Sequence, residues 1–224
     1  MFLKNMNSQP IFFTTQALTM KIKSDLSIEY PDFKLHRGEC LGIFGANGCG
    51  KSTLLKICAG LRFPSTGSVK IDGSLIRRGL LRNAPSRIGF FPQSNPGRSE
   101  ITFGQLLSIC PKSIFSEAEF RETLRIYFPS DEILDRKSSE LSFGQCRVCA
   151  LLLLLSMRPS LLLLDEPFVG LRPDTTDLAI NELNSARVES VTLIVDHDLG
   201  RLRALSNYII EFKPGGGSNL LYVS

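Results

Sequence analysis

The sequence predicts an α/β protein: a parallel sheet covered on both faces by helices, with a helical segment inserted into it. Three observations carry this. Short apolar runs bounded by turn residues recur at 39–44, 160–165, 190–196 and 207–212, each with the length of a buried strand. Helix-like segments alternate with them, the pattern of strand–helix–strand crossovers. From about 94 to 158 no strand pattern occurs, so that stretch reads as the insertion.

The elements follow in order. Residues 11 to about 35 alternate loosely and predict short strands. "ECLGIF" (39–44) is a compact strand that runs into a glycine-rich loop, and "KSTLLKICAGL" continues as a helix. "GSVKIDG" (67–73) and "RIGFFPQ" (87–93) read as strands. In the insertion, Ser116 followed by Glu119 is a capping-box pattern that opens a helix over "EAEFRETLRIYF", and Pro129 ends it. A second helix is expected from about Ser142 to Met157. After Pro159, "SLLLLD" is a buried strand, and Pro173 suits the first turn of a helix reaching about Ala186. "SVTLIVD" (190–196) is the next strand, "LGRLRALS" a short helix and "NYIIEF" (207–212) a strand. "PGGGSN" then turns the chain into a final "LLYV" strand. The whole of 1–224 reads as a single domain.

Composition narrows the function classes. Apolar residues at 43% and charged residues at 21% are ordinary for a globular protein. A net charge of +4 permits an anionic ligand or surface but does not call for nucleic acid. The longest apolar run, 148–155, falls far short of the ~20 residues a membrane span needs. The N-terminus shows no sustained apolar region with a cleavage site, so the chain is expected to be cytoplasmic. Cys146 and Cys149 make a C-x-x-C, but no second pair or His cluster accompanies it; two thiols packed on a buried helix is the simpler reading.

Two stretches carry chemistry. "GANGCGKST" fits G-x-x-x-x-G-K-[ST], with a strand before it and a helix after it. Its backbone, from Gly45 through Asn47, Gly48, Cys49 and Gly50, can wrap a phosphate chain with N–H groups pointing inward. The helix N-terminus adds partial positive charge. Lys51 should reach the outer phosphates and Ser52 should hold Mg²⁺. In "LLLLDEP" (161–167), four leucines bury a strand that ends in two carboxylates. Asp165 can hold the metal, and Glu166 is placed to take a proton from an attacking water.

With these residues in place, the chain resembles the nucleotide-binding domain of the ATP-binding cassette (ABC) ATPases over nearly its whole length. "GANGCGKST" resembles the Walker A loop and "LLLLDEP" the Walker B strand; "PSTGSVKIDG" (64–73) resembles the segment after the first helix. "FFPQ" resembles the Q-loop, "LSFGQ" the signature loop usually written LSGGQ, and "IVDHD" the switch strand, all in the family's order. The resemblance implies a P-loop NTPase with a RecA-like parallel core sheet, an N-terminal antiparallel β subdomain and a helical insertion carrying the signature loop. It implies ATP and Mg²⁺ as ligands. Gln93 would contact the metal and the water, His197 would steady the γ-phosphate, and Thr53 would touch the α-phosphate. Two such domains would pair head to tail, as homodimer or heterodimer. Ser142 and Gly144 would then bond the γ-phosphate held by the other domain, with Gln145 close by.

The function implied is the ATP-hydrolysing subunit of an ABC transporter. Separate membrane permease subunits would complete it, the chain would sit on the inner face of the cell membrane, and no direct nucleic-acid contact is expected. A soluble ABC ATPase, acting on nucleic acid or in cofactor assembly, is the alternative. Four residues depart from the pattern. Phe143 stands where the family favours glycine, and Arg172 follows Leu171 where an aspartate is usual. Ile22 falls at the spacing of the adenine-stacking aromatic, with Phe12, Phe13 and Tyr30 nearby. Cys49 places a thiol, potentially reactive, inside the phosphate loop.

Overall fold

The computed structural model describes residues 10, 12–23, 26–76, 88–94, 100–213 and 218–222. Its centre is a six-stranded sheet in the order β11–β10–β4–β9–β8–β7. The strands are β4 (Cys40–Gly45), β7 (Ile88–Phe91), β8 (Leu161–Asp165), β9 (Val191–Val195), β10 (Tyr208–Phe212) and β11 (Ser218–Tyr222). All neighbouring pairs from β10 to β7 are parallel; only β11 joins antiparallel, at the edge. This is the parallel core expected from the alternation of strands and helices.

Every residue of β8 and β9 is buried, because helices cover both faces of a parallel sheet. Side chains alternate between those faces along a strand. Leu161, Leu163, Leu193 and Val195 pack with α1 (Lys51–Cys58), through Leu54, Leu55 and Ile57. Leu162, Leu164 and Ile194 pack the other way, against α4 (Phe143–Ser156), α5 (Pro173–Ala186) and α6 (Leu199–Leu205). A second, antiparallel sheet holds β1 (Phe13–Lys23), β2 (Leu26–Glu29), β3 (Lys34–Leu35), β5 (Thr66–Ile71) and β6 (Ser74–Leu75). It supplies the N-terminal antiparallel layer.

The inserted stretch contains α2 (Phe103–Ile109), α3 (Glu117–Tyr127) and α4, and buries a core of its own around Phe103, Phe120, Leu124 and Leu152. Phe128, before Pro129, is extended at φ −134°, ψ 123°, which stops α3 where expected. Two details differ from the sequence reading. At α3 only half of the capping box forms: the Ser116 hydroxyl accepts from the Glu119 amide at 3.4 Å, while the Glu119 carboxylate accepts from Arg158 at 3.1 Å instead. And α2 was not anticipated, although its Thr102–Gln105 box is complete. Cys146 and Cys149 are buried, free thiols on α4, as expected.

The topology also gathers the motifs. The register aligns Ile43 with Val195 and Val195 with Asp165, so β4, β9 and β8 end at one level; β7 ends alongside, with Phe91 opposite Leu164. The phosphate loop, His197, Glu166 and Gln93 all leave the sheet at this carboxyl edge, where open α/β sheets bind ligands.

Candidate active site

The loop after β4 is shaped by glycine. Gly45 lies at φ 141°, and a Cβ there would come 2.5 Å from the Phe212 carbonyl oxygen. Gly50, at φ 101°, is the N-cap of α1 and offers no side-chain acceptor; the first turn of α1 has no acid either. The opening amides of α1 therefore meet neither a capping side chain nor an acid from their own turn, which leaves them open to an anion. Lys51 is buried, and its ammonium donates to the carbonyls of Gly45 (2.7 Å) and Ala46 (2.9 Å), curling back over the loop.

Asn47, Gly48, Cys49, Gly50, Lys51, Ser52 and Thr53 line a cleft of about 440 Å³ together with Gln93 and Glu166. Ile22, Ile28 and Phe212 also line it. The three aromatic candidates for base stacking are all in the core. Phe12, Phe13 and Tyr30 are each at most 5% exposed, and the Tyr30 hydroxyl, pushed up to about 12 chiefly by burial, donates to the Gly50 carbonyl. Ile22, 41% exposed, is the residue at the cleft.

The carboxylates sit at the end of β8. Asp165 is buried, and burial pushes its carboxyl above the usual range; the neighbouring Ser52 hydroxyl opposes the shift. Its Oδ1 meets no donor among the described residues. A buried carboxylate oxygen without a donor, beside a hydroxyl and facing a phosphate loop, fits a divalent cation. Glu166 takes a left-handed backbone, φ 51°, uncommon for a residue with a side chain and costing on the order of 1 kcal/mol or more. Its amide donates to the Val195 carbonyl at 2.9 Å, which fixes the turn. The Glu166 carboxylate meets His197 Nε2 at 2.5 Å.

The His197 segment is itself braced. Asp196 accepts from Arg201 (2.7 Å) and from the Asp198 amide (2.9 Å), and the Arg201 guanidinium lies over the Phe168 ring. One residue here was missed by sequence reasoning. Arg147, on α4, is fully buried and donates to the carbonyls of Glu166 (2.6 Å), Gln93 (2.9 Å) and Pro92 (3.4 Å). Its only sequence signal was a cation inside an otherwise apolar helix, "VCALLLLL" following it.

The signature residues lie outside this cleft. Ser142 caps α4 in a full capping box: its hydroxyl accepts from the Gln145 amide, and the Gln145 side chain accepts from the Ser142 amide. Phe143 turns its ring onto Gly170, where a Cβ would stand 2.4 Å from it. Gly144 is equally close to that loop, its own Cβ position being 2.8 Å from the Gly170 carbonyl oxygen. The Arg172 guanidinium is exposed and reaches Asp174 at 3.6 Å.

The fold and this cleft define a P-loop nucleotide-binding cassette. The family model described as "ABC transporter" matches residues 28–169. The glycine betaine/carnitine/choline transport ATP-binding protein OpuCA of Bacillus subtilis is 31% identical over 191 residues, 82% of this chain and 50% of that protein. The energy-coupling factor transporter ATP-binding protein EcfA2 of Caldanaerobacter subterraneus is 30% identical over 82% of this chain and 68% of its own. The chain thus spans about half the length of the first of these and two thirds of the second. Among solved structures, the dimeric cassette MJ0796 in a post-hydrolysis state with ADP and Pi superposes with a TM-score of 0.77 at 24% identity, covering 95% of this chain and 99% of that one. Clostridium perfringens cbiO1, part of a cbiONQ transporter complex, gives 0.73 at 23%, covering 94% and 88%. The chain belongs to the ABC transporter family, as one of its ATP-binding cassettes.

Proposed function

We propose that the chain is the ATP-hydrolysing subunit of an ABC transporter, working with a second cassette and with separate membrane-spanning subunits. The observation that carries the chemistry is the pairing of an anion-ready phosphate loop with Glu166 across one cleft. Gly45 to Gly50 and the α1 amides hold the phosphates, Lys51 exchanges loop carbonyls for the outer phosphate oxygens, and Thr53 touches the α-phosphate. Ser52, Asp165 and Gln93 would hold Mg²⁺, which when bound neutralises charge on the outer phosphates. Glu166 accepts the proton of the water that attacks the γ-phosphorus, as the bond to the ADP oxygen breaks. His197, already bonded to Glu166, orients that carboxylate and steadies the γ-phosphate.

Ser142, Gly144 and Gln145 stand at the start of α4, outside their own cleft. In this reading they close over the ATP of a second cassette, whose signature loop does the same here. A pairing of this kind is supported by the cassette MJ0796, which is dimeric in a post-hydrolysis state with ADP and Pi bound. No helix among the described residues is long and apolar enough to cross a membrane. In this reading the spanning segments belong to partner subunits, and the chain works at the inner membrane face. An apolar groove of about 370 Å³, lined by Phe90–Pro92 and by Ile101, Leu153 and Met157 of the inserted segment, suits an apolar partner segment. It adjoins Gln93, so docking there acts on the hydrolytic wall.

The test is affinity capture from detergent-solubilised membranes. The reading expects a polytopic membrane subunit bound stoichiometrically, and its loss with Ile101→Asp, a change at the groove rim that should leave ATP turnover within about twofold. Capture of ribosomes or a soluble assembly instead, unaffected by Ile101→Asp, would refute the transporter role.

A further inference from the structure

Arg147 poses a problem of energetics. It is 0% exposed, yet among the described residues no carboxylate contacts it directly, although the charges of Glu166 and Asp165 nearby favour its charged form, and its Nε has no hydrogen-bond partner. Burial still outweighs that help and pushes the guanidinium below its ordinary value, so the buried cation is costly. What it has instead are main-chain oxygens and aromatic faces. Two of its nitrogens reach the carbonyls of Pro92, Gln93 and Glu166. The guanidinium also lies 4.6 Å from the Phe91 ring centre and 5.5 Å from that of Phe143. Phe143 and Arg147 are four apart on α4, so they share a face.

This arrangement joins three segments that do different jobs. Phe143 is the residue after the helix cap Ser142, at the signature loop. Gln93 and Glu166 form the wall of the chain's own cleft. The guanidinium touches all three, and the Phe143 ring rests in addition on Gly170, four residues past Glu166. A carboxylate partner would lock the guanidinium to one atom. Carbonyls and ring faces hold it by weaker, graded contacts that allow it to shift with either side.

We infer that Arg147 is a positioning residue that couples the signature loop to the hydrolytic wall of the same chain. This rests on the proposed function. There, the signature loop reads the other cassette's ATP, while Gln93 and Glu166 act on this chain's ATP. A displacement at Ser142 and Phe143 is passed through the guanidinium to the backbones of Gln93 and Glu166. One site thereby senses occupancy of the other. The link lies on the face of the signature loop where Phe143 replaces the family's glycine, and it runs beside a loop that carries Arg172 in place of the usual aspartate.

The experiment compares the full-length chain with Arg147→Met, Arg147→Lys and Phe143→Ala, reading ATP Kd, kcat and the ATP dependence of turnover. Arg147→Met should lower kcat about tenfold or more with Kd within about twofold, because the ATP contacts are untouched while the wall is misplaced. Arg147→Lys, which keeps the charge but not the planar stack, should recover part of the loss. Phe143→Ala leaves the buried cation in place and alters a side chain that is 42% exposed, so it folds even where Arg147→Met does not. It should lower kcat in the same direction, again at constant Kd. The inference is overturned by Phe143→Ala turning over like wild type. It is overturned equally by a folded Arg147→Met with unchanged kcat, or by one whose kcat and ATP binding fall together, the mark of a merely structural role. A wild type that does not hydrolyse ATP would instead sink the proposed function.

Discussion

Ile22 shows how much one residue changes the character of the cleft. It lines the cleft with an aliphatic side chain, and the nearby aromatic rings are buried in the core. Affinity in this account comes mainly from the triphosphate. Ile22→Tyr should therefore tighten ATP by about fivefold, the worth of one stacking contact of ~1 kcal/mol, and leave inorganic tripolyphosphate unchanged; calorimetric titration of both ligands checks it. Asp165 carries the opposite lesson, a residue that costs stability for the sake of chemistry. Burial raises its carboxyl pKa above that of the unfolded chain. The folded state then holds the proton more tightly, so without ligand stability falls as pH rises through that titration. Asp165→Asn should accordingly melt higher than wild type at neutral pH, with the gap closing as pH falls and the wild-type carboxyl protonates. The same variant should lose about a hundredfold in turnover. Both residues were visible in the sequence, one as a departure from a spacing and the other as a carboxylate after four leucines. What neither showed was its surroundings. The missing donor on Asp165 Oδ1 and the burial of Tyr30 beneath Gly50 are properties of contacts made across the fold.

At the scale of elements, local signals were legible wherever the chain settles its own backbone. The capped start of α4 at Ser142, Pro173 opening α5 and Pro129 ending α3 all follow from rules about single residues. The half-formed box at α3 shows the limit: Glu119 had a choice of partners, and Arg158, 39 residues away, took it. α2, seven residues with two buried side chains, leaves little periodicity in the sequence. Phe143 was the most ambiguous residue in the sequence, and its element explains it. The ring packs across to the loop between β8 and α5, where Gly170 at φ 81° leaves room. Gly170→Ala brings a Cβ into that ring and forces a side chain into left-handed backbone. It should destabilise the fold by about 1 kcal/mol or more in denaturant titration. It should also lower turnover, since the displaced ring is the one that touches Arg147.

For the whole molecule, the parallel sheet was foreseeable from alternation, but its strand order was not. Nothing in the sequence says that β9, nearly 150 residues after β4, lies between β4 and β8. That order matters, because it brings the ends of β4, β9, β8 and β7 to one edge and so converts scattered motifs into one cleft. Arg147 belongs to this scale too: its carbonyl partners are 19, 54 and 55 residues away, and no local pattern announces them. The molecule so assembled holds only half of each proposed catalytic unit, with phosphate loop and Glu166 in the cleft and the Ser142 cap outside it. ATP should therefore join two copies or two related chains, and hydrolysis should part them. The measurement that tests this most directly is ATP turnover together with sedimentation in ATP and Mg²⁺, for wild type and Glu166→Gln. The variant should bind ATP, remain dimeric and turn over at least about tenfold more slowly than wild type. Equal turnover in the two proteins, or a variant that stays monomeric with ATP bound, would contradict it.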